Sequence, residues 1–242
     1  MRKFLVRLLC CFIPSRKLRH KIPEDNNFIV TGINNKIVTV DENGKEYEIT
    51  NGFPGFRFLV TGNNCTVKIH TPLISTFTVI ECKNDNCYIE IGSSKGPFSV
   101  HIECVSGQNQ KVIIGKDTTI GDACIVCNEQ AQVLIGSDCM LSGMIRIWGA
   151  DGHSVLDAKT GKILNEATKP LIIENHVWIG EGARLTKKAH IHENSIVSGG
   201  AVAYKDYKEK GVIIAGNPGE IVKNSITWGR TDPYHLKLQR KK

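Results

Sequence analysis

The 242-residue chain carries 41% hydrophobic and 23% charged residues, near the average for a soluble globular protein with material for one or two domains. Aromatics reach only 7% against 23 glycines, which disfavours an aromatic-rich core and suits a fold of many small turns. The net charge of +7 invites a nucleic-acid reading, but its distribution argues against one. Its excess gathers at the ends (Arg2, Lys3, Arg7, Arg16, Lys17, Arg19, Lys21; Lys237, Arg240, Lys241, Lys242), with no basic stripe interleaved with aromatics between them. A positive surface suits anionic ligands.

In chain order, residues 1–22 form a basic segment around the apolar run Phe4 to Ile13. Arg7 interrupts the run, no small-residue cleavage site follows, and ten residues cannot span a bilayer as a helix. The segment is expected to be a short amphipathic helix that packs on the domain or lies on an anionic membrane surface. Residues 23–61 follow, with Val38-Thr-Val40, Asp41-Glu-Asn-Gly44 and Tyr47-Glu-Ile49 reading as a β-hairpin cap. The nine cysteines form no C-x-x-C pair and sit mostly in apolar stretches, as reduced core thiols.

From Ile173 every sixth residue is aliphatic: Ile173, Ile179, Leu185, Ile191, Val197, Ala203. Mostly small residues recur four places after each of the first five, at Val177, Ala183, Ala189, Ser195 and Ala201. Neither a helix nor an alternating strand has a period of six. A triangular coil does, with an aliphatic pointing inward from each face and a small residue at each corner. Upstream the rhythm loosens: Val67, Ile89, Val112 and Val133 are 22, 23 and 21 residues apart, each interval one coil with a corner insertion. Residues 62–216 are therefore read as one solenoid, followed by a tail or helix over 217–242. Ile135 to Ile173 spans 38 residues, and the excess falls in a loop over 148–170 that lacks the hexad. A long loop ejected from a rigid solenoid is usually functional.

Asp151-Gly-His153-Ser-Val-Leu-Asp157, Asn175-His-Val-Trp-Ile-Gly180, Ser195-Ile-Val-Ser-Gly-Gly-Ala-Val202 and Ala215-Gly-Asn-Pro218 occur in that order. Over roughly Val112 to Lys223 the chain resembles the hexapeptide-repeat O-acetyltransferases, which include galactoside, maltose, capsule and lipopolysaccharide acetyltransferases. The resemblance implies an all-β, left-handed parallel β-helix. It also implies a homotrimer that binds acetyl-CoA in the groove between neighbouring coils and acetylates a sugar hydroxyl on a surface polysaccharide, sialic acid or related glycan. His153 takes the place of the catalytic base, and an imidazole near its ordinary pKa of about 6.5 suits that role. Asp151 or Asp157 would orient it, or only hold the loop's turn. Trp178 falls beside the thioester, with Gly180, Glu181, Gly199, Gly200, Tyr204, Lys205 and Lys223 along the cofactor. Glu181 and Ser198-Gly199-Gly200-Ala201 depart from the usual pattern. Asn128, Trp148 and residues 154–168 are candidate walls for the acceptor.

Cys and His spacings match no zinc pattern, and no metal is expected. N-acetylation of a free or nucleotide-linked amino sugar is the second enzymatic reading, and a non-catalytic β-helical scaffold the third. The expected location is cytoplasmic, with the N-terminal segment able to reach the inner membrane face.

Overall fold

A computed structural model describes residues 27–239; the amphipathic segment expected over 1–22 lies outside them. The chain winds into a left-handed parallel β-helix of three faces. The first face stacks Met140–Leu141, Trp178–Ile179, Ile196–Val197 and Ile213–Ala215. The second stacks Phe56–Val60, Thr78–Cys82, Ile145–Trp148, Arg184–Leu185 and Val202–Ala203, among others. Phe98–Cys104 and Thr119–Val126 are longer and run from the first face into the second. The third face carries Lys36–Val40, Thr66–His70, Tyr88–Ile91, Lys111–Ile114, Gln132–Ile135, Leu171–Ile173 and His190–Ile191 in one parallel ladder.

In-register pairing lines the inward residues into columns. On the second face Phe28, Phe58, Ile80, Ile102, Ile125, Ile147, Leu185 and Ala203 follow one another. All six residues of the hexad track, from Ile173 to Ala203, are at most 1% exposed. The small track is equally buried, so both periodicities read from the sequence lie inside the prism. Each buried aliphatic contributes about 1.5–3 kcal/mol. The seven cysteines among the described residues are free and buried, and burial pushes the Cys139 thiol up to about 11.

The irregular N-terminal coils take their extra residues at corners. At the corner between the second and third faces, Asn34, Asn64, Asn86 and Asn109 have φ of 55°, 54°, 60° and 58°. Asparagine tolerates this left-handed conformation, whereas β-branched residues do not. Parallel stacking starts earlier than Gly62. Phe28–Val30 pairs in parallel with Phe56–Val60, and Lys36–Val40 with Thr66–His70. The expected hairpin is confined to the antiparallel pairing of Lys36–Val40 with Glu46–Glu48. Corner insertions hide the coil here, and the alternation of Lys36–Val40 looks the same in a hairpin as in a stacked rung.

At the C-terminal end Glu220–Lys223 pairs antiparallel with Ile213–Ala215, and the tail then folds back on its own coil. Trp228 stacks on His176, with ring centroids 4.3 Å apart, and donates from Nε1 to the His176 carbonyl (2.8 Å). Arg230 reaches Asp138, Thr119 and the Cys139 carbonyl. The helix α1 (Pro233–Gln239) ends the described chain.

Candidate active site

The loop leaves after Ile145–Trp148 on the second face and returns at Leu171–Ile173 on the third, so it springs from the corner between them. It is a built element with its own short hairpin. Leu156 bridges Ile163 antiparallel, Leu164 N–H donates to the Val155 carbonyl (2.8 Å), and Asp157 N–H to the Lys162 carbonyl (2.8 Å). Asp157 makes the turn: its Oδ1 accepts from Lys159 N (3.0 Å), Thr160 N (2.7 Å) and Thr160 Oγ1 (2.8 Å). The Thr160 hydroxyl and amide hold the Asp157 carboxyl below its ordinary value.

Asn165 ties the hairpin to its stem. Its Nδ2 donates to Asp151 Oδ2 (2.7 Å) and to the His153 carbonyl (2.8 Å), and its Oδ1 accepts from Val155 N (2.8 Å). Lys187, on the next coil at the same corner, pairs with Asp151 and donates to the Asn165 carbonyl (2.5 Å). Glu129 Oε2 accepts from Ala167 N (3.1 Å) at the other end. The backbone around His153 is thereby clamped, while its side chain is exposed. Neither candidate carboxylate reaches the imidazole: Asp157 is spent on the turn and Asp151 on Lys187 and Asn165. Of the two roles expected for these carboxylates, holding the loop is the one their hydrogen bonds serve here. Asn165 and Lys187 hold the backbone beside His153 together with Asp151. Neither Asn165 nor Lys187 stood out in the sequence, because Asn165 lies in the aperiodic loop and Lys187 fills an ordinary outward position of a hexad.

The positions expected to follow the cofactor lie elsewhere. Trp178 is half-buried on the first face, just past the corner with the third, and donates from Nε1 to Ser142 Oγ (3.3 Å). The whole third face separates it from the corner that carries His153. A Cβ on Gly180 would meet the Gly199 amide at 2.5 Å, so this glycine is required by coil stacking. Gly200 has φ of +71° and open space above it, as a close ligand approach requires. Gly199 and Glu181 are exposed beside it. Lys205 pairs with Glu220 (2.6 Å), which also accepts from the Tyr204 hydroxyl (3.0 Å), and this carboxylate raises the Lys205 pKa. Lys223 is exposed on the closing strand. Of the acceptor candidates, Asn128 accepts from Val105 N (3.3 Å) and serves the corner, while Trp148 is 39% exposed at the base of the loop.

Basic side chains gather around the loop. Arg146 and Arg184 are register partners pointing out of the second face, Lys187 and Lys188 mark the corner, and Lys159 and Lys162 project from the hairpin. Val155, Leu156, Ile163 and Leu164 are 44–57% exposed, an apolar patch on the same hairpin.

The chain is similar in sequence to two curated relatives named polysialic acid O-acetyltransferase. The one from Neisseria meningitidis is 32% identical over 203 residues, which is 82% of this chain and 87% of that protein. The one from Escherichia coli O1:K1 is 34% identical over 134 residues, 55% of this chain and 43% of that protein's length. The crystal structure of the polySia-specific acetyltransferase NeuO superposes with a TM-score of 0.71 at 27% identity, covering 88% of this chain and all of the other. No protein-family model matches the sequence. No described helix is long and apolar enough to cross a membrane.

Proposed function

This chain belongs to the hexapeptide-repeat O-acetyltransferases, acyl-CoA-dependent enzymes that act on sugar hydroxyls, and from that premise we propose that it transfers acetyl from acetyl-CoA to a hydroxyl of a polysialic-acid-like acidic glycan, with His153 as general base. The observation that carries this reading is the hairpin: a clamped backbone presents the exposed His153 side chain to solvent, Lys159 and Lys162 are exposed on the same hairpin, and Arg146 and Arg184 point out of the second face from which it springs. Basic groups arranged this way gather an anionic polymer, and the relatives' acceptor is one.

In the reaction, the sugar oxygen attacks the thioester carbonyl while His153 takes its proton. The new C–O bond forms, an oxyanion develops and is met by backbone N–H groups, and the C–S bond then breaks. The proton returns from His153 to the departing CoA thiolate. No acyl-enzyme is needed when both substrates are held together.

Because the third face separates His153 from Trp178, one complete site needs the His153 corner of one copy and the Trp178 face of another. The four exposed aliphatics of the hairpin supply a surface for that contact. A closed trimer repeats it three times and leaves no open face. Gly200, Lys205 and Lys223 would then line the cofactor on the Trp178 side.

The test is thiol release from acetyl-CoA with polysialic acid, maltose and amino sugars as acceptors. The expected result is turnover with the acidic polymer and a product whose acetyl group is lost in mild alkali, as an ester is. An alkali-stable amide product would establish the N-acetyl reading instead.

A further inference from the structure

We propose that Glu174, His190 and His192 form a divalent transition-metal site on the third face, with Asp206 orienting one of its histidines. The coil assembles the group from three successive turns. His190 and His192 flank the buried Ile191, so strand alternation turns both rings outward, where they stack with centroids 3.9 Å apart. Ile173 is the register partner of Ile191, so Glu174 stands over His192 from the coil before. Asp206 bridges His190 from the coil after.

The contacts divide into ligands and support. Glu174 Oε1 lies 2.7 Å from His190 Nε2 and 3.1 Å from His192 Nδ1. Asp206 Oδ1 lies 2.8 Å from His192 Nε2. A neutral imidazole carries a single N–H. When His192 donates that proton to Asp206, its Nδ1 lone pair faces a carboxylate oxygen 3.1 Å away, two acceptors with no proton between them. The contact calls for a positive charge. A zinc-like ion about 2.0–2.1 Å from each donor sets tetrahedral ligand atoms about 3.3 Å apart, so a withdrawal of Glu174 from His190 by roughly 0.6 Å makes room. Asp206 then acts as carboxylates commonly do behind a metal-bound histidine, fixing its tautomer.

The side chains are 22–36% exposed for Glu174, His190 and His192, which gives the ion access and leaves a fourth position for water. Two imidazoles and one carboxylate suit zinc, cobalt or nickel better than magnesium or calcium. A second group of possible ligands, His101, Glu103 and Cys124, lies apart from this one on the second face and serves as its control. Spacing alone hid the proposed site, because its third ligand comes from the preceding coil. A cation here would tie together two successive coils of the third face near the C-terminal end of the prism, with Asp206 supporting it from a third.

The experiment titrates the chelator-stripped full chain with Co²⁺ and Zn²⁺. Expected are saturable binding of one equivalent, visible Co²⁺ absorption quenched by Zn²⁺, and a thermal midpoint that climbs with the logarithm of free zinc. His190→Ala and His192→Ala should each weaken binding about 10–100-fold or more, Asp206→Asn less, and Cys124→Ala not at all. Glu174→Gln keeps the side chain's shape and must also weaken binding, which preserves the test should the histidine variants fail to fold. The proposal falls if no saturable binding occurs, if binding survives loss of both histidines, or if Cys124→Ala abolishes it; the stacked pair would then be balanced by a proton.

Discussion

The wall of the prism and the hairpin ejected from it are built on opposite rules. Inward residues of the wall stack on register partners in the neighbouring coils, and nearly all of them are removed from water. The hairpin over 155–164 buries almost nothing and is held by one asparagine, one lysine and a turn-making aspartate. Stability is thus concentrated where chemistry is absent, and the candidate base sits where little packing depends on it. Substitutions in the two regions should therefore separate stability from turnover.

The largest effect is expected in the wall. Ile147 is fully buried between Ile125 and Leu185 in the second-face column. Ile147→Ala removes three carbons from a close-packed stack and should cost about 2–5 kcal/mol of unfolding free energy. Below its lowered melting point the variant should keep near-native kcat, read by thiol release alongside urea denaturation. A kcat that falls in the folded variant would mean that wall and site are coupled.

His153→Ala is the converse. Its side chain contacts nothing that holds the fold, so the thermal midpoint should stay within about a degree while kcat falls about 100-fold or more, roughly 2.7 kcal/mol of barrier. Acetyl-CoA affinity should change little, since the base acts on the acceptor hydroxyl in the transition state. Near-native turnover would remove His153 from the mechanism.

This same contrast explains what could be read before the structure. The wall repeats, and a period of six with two tracks specifies inward residues one by one from Ile173 to Ala203. Where corner insertions of Asn34 and Asn64 stretch the coil, the period is lost, and the start of stacking at Phe28 went unseen. The loop has no period at all. His153 was legible through its motif, but its supports were not, since Asn165 and Lys187 meet Asp151 from 14 and 36 positions further along the chain. Gly180 stood out in the sequence as space for a cofactor, and the structure adds a second demand on it, the neighbouring coil that a side chain there would strike.

A smaller effect should come from the hairpin's clamp. Asn165→Ala deletes three hydrogen bonds around His153, two of them to backbone. The imidazole stays present but loses its fixed approach, so kcat should drop about tenfold with KM for acetyl-CoA nearly unchanged. Asn165→Asp keeps the acceptor for Val155 N but sets a carboxylate against Asp151 and the His153 carbonyl, so it should recover none of the loss. A variant that instead raises KM alone would place Asn165 in substrate binding.

The smallest effect belongs to the outer surface of the wall. Glu81 pairs with Lys83 (2.7 Å) and His101 (3.2 Å), and the His101 hydrogen bond, with that of Lys83, lowers its carboxyl from 4.5 to about 2. A carboxyl with a depressed folded pKa stabilises the fold fully above its unfolded value, and that contribution disappears as pH falls from 4.5 towards 2. Solvent screening of a surface cluster reduces the gain to about 1 kcal/mol. Glu81→Gln should therefore lower stability by about that amount at pH 7, and its urea midpoint should fall less steeply than the parent's between pH 5 and pH 3. Turnover at pH 7 should not change, because the second-face strand that carries Glu81 lies three coils before the loop. If the two proteins lose stability in parallel on acidification, the acid sensitivity of the wall lies in other carboxylates, such as Asp138 beneath the folded-back tail, where hydrogen bonds from His176 and Arg230 outweigh the burial that would raise its pKa.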